Sequence, residues 1–169
     1  MPLWQIFHPP STFTSQASKQ ALAADLTSVY TSAGLPAFYV VVHFIPIPGA
    51  NTFVGGRPRC SEDDGGGDGA AQRPFVRFVA DHIAVHVTPR NGEDEVESES
   101  AKKTRRVLDR IHAAIRPHVR EQDCDWEVHI DETPRGFWSI NGLIPPPFGS
   151  EAEKKWAELN RPVEWEGLQ

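Results

Sequence analysis

Two stretches of this chain are strongly biased toward sheet. Residues 37–45 read AFYVVVHFI and residues 75–87 read FVRFVADHIAVHV. Both are dense in β-branched and aromatic side chains, the types that suit a pleated, half-buried surface. Each is coupled to a helical stripe. Before the first, Leu22, Leu26, Val29 and Ala33 recur at helical spacing; Thr14 or Ser15 can cap the start, and Gly34 is placed to stop the helix after about Ser32. After the second, Val107, Leu108, Ile111, Ala114 and Ile115 form a stripe expected to end near Pro117. A short strand from the second residue, stopped by His8-Pro9-Pro10, precedes the first helix, and another over residues 126–130 follows the second. The chain therefore reads as two β-α-β units, at about 2–47 and 75–130. The fold class is α/β, an α+β sandwich, and the recurrence is one of architecture, without a residue-level repeat.

The connecting and trailing segments differ from these units. Residues 57–72 contain SEDDGGGDGAA, acidic and without apolar anchors, which predicts a flexible surface loop. Before it, NTFVGG (51–56) reads as a hairpin arm. Acidic residues over 91–99 suit the start of the second helix. Over 133–169, Thr133-Pro134 can open a short helix through Trp138, Asn141-Gly142 marks a turn, and SEAEKKWAEL (150–159) reads as a short capped helix before an extended tail. The whole is expected to be one domain, 1–169, with a C-terminal helical extension.

Composition narrows the function classes. The net charge is −6 with no broad basic patch, which argues against nucleic acid. Two cysteines, Cys60 and Cys124, make neither a disulfide framework nor a zinc-ligand spacing, and fit a reducing compartment. The start, MPLWQIFHPP, lacks the basic and apolar regions of a signal peptide, and no apolar run reaches the roughly 18 residues of a membrane span. A cytoplasmic protein is the expectation. His82 and His86, at i and i+4 of one strand, would share a face and could offer a metal two ligands, but ordinary sheet histidines are the commoner case.

The segments MPLWQIFHPP, LPAFYVVVHFIP, DHIAVH, DWEVHIDETPR and INGLIPPPFGSEAEKKWAELNRP, with the hairpin Phe53-Val54-Gly55-Gly56, resemble the tautomerase superfamily. The resemblance is to its cis-3-chloroacrylic acid dehalogenase-like group and, within that, to a fungal branch of oxalocrotonate-tautomerase-like proteins. It covers most of the chain outside the acidic glycine loop. It implies two β-α-β units per subunit, a homotrimer, a small carboxylate substrate and no cofactor or metal. It also implies that Pro2 is the catalytic group once Met1 is removed. A chain-terminal secondary amine can titrate, ordinarily near pH 7.7–8.0. Burial in an apolar pocket lowers that value toward working pH, where it suits proton abstraction beside a carbonyl. Leu3, Trp4 and Phe38 are candidate apolar walls.

Carried over residue by residue, the resemblance gives a mixed set. Tyr30 stands where the group has a substrate-binding histidine late in the first helix. Arg90, after HVTP, fits the first of two carboxylate-binding arginines; the second falls near Glu93, and Arg77 is the substitute. His129 aligns with a tyrosine of the last core strand. The water-activating glutamate should fall near Ile140 and is missing, with Asn141 beside that position and Asp131 and Glu132 nearby. Loss of that carboxylate and one arginine argues against hydrolytic dehalogenation. The expected function is a cofactor-independent keto-enol tautomerase with Pro2 as base and Tyr30, Arg90, His129, Arg77 and Asn141 as substrate-binding residues. The alternatives are a hydratase, decarboxylase or dehalogenase with Pro2 as acid, or a member retained as a binding protein.

Overall fold

The computed structural model describes residues 2–59, 73–83 and 99–167, without the side chains of Glu99 and Ser100. The acidic stretch 60–72, Cys60, His86, Arg90, Glu93 and the acidic approach to the second helix over 91–98 lie outside the described residues.

Both β-α-β units form. In the first, β1 (Pro2–His8) leads through α1 (Gln16–Thr31) to β2 (Val41–Pro46). A small hairpin of β3 (Phe53–Val54) and β4 (Arg57–Pro58) follows. The second unit runs from β5 (Phe75–His82) through α2 (Glu99–Glu121) to β6 (Asp125–Glu132). The main sheet has the order β2-β1-β5-β6. Each unit pairs its own strands in parallel, and β1 meets β5 antiparallel at the centre, with Pro2 opposite His82 and Phe7 opposite Arg77.

Alternation along the two central strands decides which side chains meet the helices. Trp4 and Ile6 of β1, and Val76, Phe78 and Ala80 of β5, join Leu22 and Leu26 of α1 and Ile111 and Ile115 of α2 in one hydrophobic cluster, every one of these side chains fully buried. Pro2, His8 and His82 share that face and are also buried. The other face carries Arg77, Glu127, His129 and Asp131, all exposed. The result is two layers, helices on one side of a sheet.

Ser15 caps α1, accepting from the Ser18 N–H through its side chain, and Gly34, at φ +86°, follows the Ser32 C-cap as a glycine stop requires. Three local readings need correction. Residues Ala37–Tyr39 form a 3-10 turn, so the strand begins only at Val41. The turn drives the fully buried Tyr39 between Trp138 (ring centroids 4.9 Å) and Trp156 (6.2 Å), and that packing outweighs the strand propensity of AFY. Helix α2 runs through Pro117 to Glu121; continuing buries Val119, which offsets the hydrogen bond the proline removes. The Thr133-Pro134 helix is a single 3-10 turn at Arg135–Phe137.

The C-terminal segment belongs to the same core. Asn141 (φ +52°) and Gly142 (φ +80°) make a tight turn closed by the Ile140–Leu143 bridge, the backbone that an Asn-Gly pair favours. Helix α3 (Glu151–Leu159) is capped by Ser150, and its Trp156 is fully buried, donating from Nε1 to the Val163 carbonyl at 2.7 Å. Trp165 reaches back to the Ile144 carbonyl at 2.8 Å. No described helix is long and apolar enough to cross a membrane.

Candidate active site

At the end of the sheet where Pro2 sits opposite His82, a cavity of about 370 Å³ opens between the two helices. Five parts of the chain converge on it. The head of β1 brings Pro2. A proline fits there because the first residue of a strand can forgo a ladder donor. The last turn of α1 and the chain beyond it bring Val29, Tyr30, Ala33 and Leu35. The end of β5 brings His82, and α2 brings Lys103, Arg106, Val107 and Arg110. Phe148, ahead of α3, completes the wall.

Tyr30 and His82 are joined. The phenol oxygen lies 2.7 Å from His82 Nε2, with the two rings edge to face at 5.3 Å. Burial pushes the Tyr30 phenol well above its ordinary value, so it stays protonated at neutral pH. A protonated phenol donates one hydrogen bond and accepts others. Its proton serves a bare Nε2, or it accepts from Nε2–H and turns its own proton toward the cavity.

The cationic wall comes from one helix face. Lys103, Arg106 and Arg110 stand at i, i+3 and i+7 of α2, the spacing that aligns side chains. Arg110 is engaged, donating from Nη2 to the Val29 carbonyl at 3.0 Å and to the Ser32 hydroxyl at the end of α1. Lys103 and Arg106 are exposed and make no ion pair among the described residues. Two cations over an apolar floor suit an anionic ligand, since an arginine fork matches a carboxylate.

The residues singled out from sequence therefore separate. Pro2 and Tyr30 meet at the cavity. Arg77 and His129 meet each other on the opposite face of the sheet. Arg77 Nη1 is 3.0 Å from Glu127 Oε1, its Nη2 is 3.3 Å from His129 Nδ1, and His129 Nε2 is 3.0 Å from Asp131 Oδ2. Asn141 sits at the exposed tip of its turn, where its left-handed φ serves the backbone. Leu3 points to the open face; Trp4 is in the core, and Phe38 packs on Trp156 at 6.0 Å. His82, read from sequence as an ordinary sheet histidine or, less commonly, a metal ligand, has Tyr30 as a partner, and no group of three or more His, Cys, Asp or Glu among the described residues could hold a metal ion. Sequence reading missed Lys103, Arg106, Arg110 and Phe148. The three α2 positions were readable as a face, but a charged helix face ordinarily signals only solvent.

Behind Phe148, the carboxyl of Glu153 is buried. Burial raises its pKa, with the Gly149 N–H and Arg135 pulling the other way. Its Oε2 accepts from the Gly149 N–H at 2.7 Å. Glu153 thereby ties α3 to the backbone that carries Phe148.

Over residues 1–161 the chain matches the family Tautomerase_3, described as "Putative oxalocrotonate tautomerase enzyme". The chain belongs to this family, within the tautomerase superfamily. RhCC from Rhodococcus jostii RHA1 is 34% identical to this tautomerase-family protein, over 96% of this chain and 99% of its own, with a TM-score of 0.78. A "probable enzyme" from the thermophilic fungus Aspergillus fumigatus is 37% identical, over 98% of each chain, with a TM-score of 0.73. The fold extends to N1, a member of the cis-3-chloroacrylic acid dehalogenase family, at 18% identity over 91% of this chain and 89% of that one, with a TM-score of 0.60. No curated protein matches the chain.

Proposed function

We propose that this tautomerase-family protein is a cofactor-independent keto-enol tautomerase of a small 2-oxo or enol carboxylic acid, with the Pro2 amine as general base. The observation that carries this reading is one cavity that holds buried Pro2, the Tyr30–His82 pair and a cationic wall. Each has a role in moving a proton between carbon and oxygen. With Met1 removed, Pro2 is a secondary amine in an apolar setting that disfavours its ammonium form, so it takes a proton and returns it. Tyr30, a neutral donor, steadies the substrate oxygen on which enolate charge develops. Arg106 and Lys103 bind the carboxylate, and Arg110 fixes α2 against α1. The protein is proposed to work as a homotrimer in the cytoplasm, in which Arg77 and His129 on the open sheet face meet neighbouring subunits.

Intact mass measurement is expected to show the chain without Met1. Pro2→Ala is then expected to lower phenylenolpyruvate tautomerisation by about 10²–10⁴-fold, the usual weight of a general base. Full activity in that variant would end the reading. Arg106→Ala and Arg90→Ala, compared by KM, assign the carboxylate contact. Light scattering checks the trimer against a subunit mass of 18.8 kDa.

A further inference from the structure

The C-terminal segment touches the cavity at one residue, Phe148, and the chain on both sides of that residue is pinned. Trp165 Nε1 donates to the Ile144 carbonyl at 2.8 Å and Arg135 Nη2 to the Pro145 carbonyl at 3.0 Å. The Ser150 N–H donates to the Pro147 carbonyl at 3.1 Å and the Gly149 N–H to buried Glu153 at 2.7 Å. Pro145, Pro146 and Pro147 each fix their own φ. Gly149, at φ +76°, makes the bend into α3 that an L side chain resists. The segment is thus a stiff arm without helix or strand, and it ends on an aromatic ring.

That ring is 53% exposed although it lines the cavity beside Pro2. A lone exposed aromatic is ordinary on a protein surface. Phe137 illustrates this, being 86% exposed and lining none of the cavities described. Phe148 differs in having a rigid mount and an open face directed at a site. Fixed side chains of this kind contribute binding because little freedom is lost when a ligand docks.

The cavity is also larger than a three-carbon acid needs. Its 370 Å³ is more than twenty times the roughly 10–15 Å³ that a single water requires. A three-carbon 2-oxo acid has about six heavy atoms of comparable size. The remainder is walled by Val29, Ala33, Leu35, Val107 and Phe148, whereas the cations stand together on α2. We propose that Phe148 is the specificity-determining residue of this site, packing on the apolar tail of a carboxylate substrate so that acids with a ring-sized tail are selected over three- and four-carbon acids.

The turnover side of this inference rests on the proposed tautomerase reading, and the binding side does not. In NMR titrations of the full chain, 3-phenylpropanoate is expected to bind more tightly than butanoate; neither can tautomerise. Phe148→Ala is expected to weaken 3-phenylpropanoate about tenfold and butanoate by less than about twofold, with Phe148→Leu between. In turnover, Phe148→Ala should raise KM for phenylenolpyruvate and leave kcat in place. Equal losses for both acids, no loss for 3-phenylpropanoate, or no preference in the wild type would overturn the proposal. Pro2→Ala should keep 3-phenylpropanoate affinity while losing turnover. If it keeps turnover, the catalytic reading fails and the binding result for Phe148 still stands.

Discussion

The two central strands both end in a buried, helix-facing histidine, His8 on β1 and His82 on β5, and the two ends have opposite fates. His82 bonds across to Tyr30 of α1 and faces a cavity. His8 is closed in by its own loop. Its Nδ1 lies 2.9 Å from the Pro9 carbonyl and 3.2 Å from the Thr12 hydroxyl, and Phe13 and Phe44 stand edge-on to its ring at 5.6 and 6.0 Å. Phe13 seals that end. It is 1% exposed, takes a left-handed φ of +49°, and its N–H donates to Gln122 at the end of α2. Two units of like topology thus offer two comparable strand ends, one filled by Phe13 against Phe44 and the other open at the cavity.

Removing the plug tests the contrast most severely. Phe13→Ala is expected to cost about 3–5 kcal/mol in chemical denaturation, as for other fully buried aromatics. Turnover per folded molecule at the Pro2 end should hold; a parallel loss of activity would mean the two ends act as one unit. Tyr30→Phe should cost about 1–3 kcal/mol, because it removes a buried hydrogen bond to His82, and should also lower kcat.

A pH series probes the closed end next. Burial holds the His8 imidazole below the ordinary histidine value of about 6.5. The unfolded chain therefore binds the proton first as pH falls. The stability tied to neutral His8 is complete above about pH 6.5 and is lost below it, down through the folded value. Denaturation midpoints should fall from pH 7.5 to 5.5 less steeply in His8→Gln than in the wild type. The smallest expected signal is chemical. Burial, with Asp123 adding to it, pushes the Cys124 thiol up to about 11. Peptide mapping after alkylation at pH 8 should find Cys124 protected in the folded protein and labelled on unfolding; rapid labelling of the native chain would show that this end opens.

Most of the fold could be read from sequence because its signals are local. The Ser15 and Ser150 caps, the Gly34 stop and the Asn141-Gly142 turn each depend on a few neighbouring residues. The misreadings at 37–39 and Pro117 share a cause: tertiary burial of Tyr39 and Val119 overrode a local preference. The site was legible only in part, since it is assembled from five distant segments. Pro2 and Tyr30 could be taken from the resemblance. Strand parity already sets Arg77 apart from Val76, Phe78 and His82, so a two-residue period argues against its sharing their face. Lys103 and Arg106 could not be told from any solvated helix face until α2 was seen beside Pro2. The contribution of Phe148 required knowing where the C-terminal arm returns.

The buried head of β1 also has a bearing on how the protein is prepared. Pro2 is paired with β5 and lines the cavity, so its place is set by strand pairing. A purification tag fused ahead of Pro2 would convert the amine to an amide and leave the sheet, the thermal melt and the circular dichroism essentially as they were. Under the proposed chemistry such material would pass every test of foldedness and still fail an assay, so only protein tagged at the other terminus, or cleaved to a free proline, gives a meaningful negative.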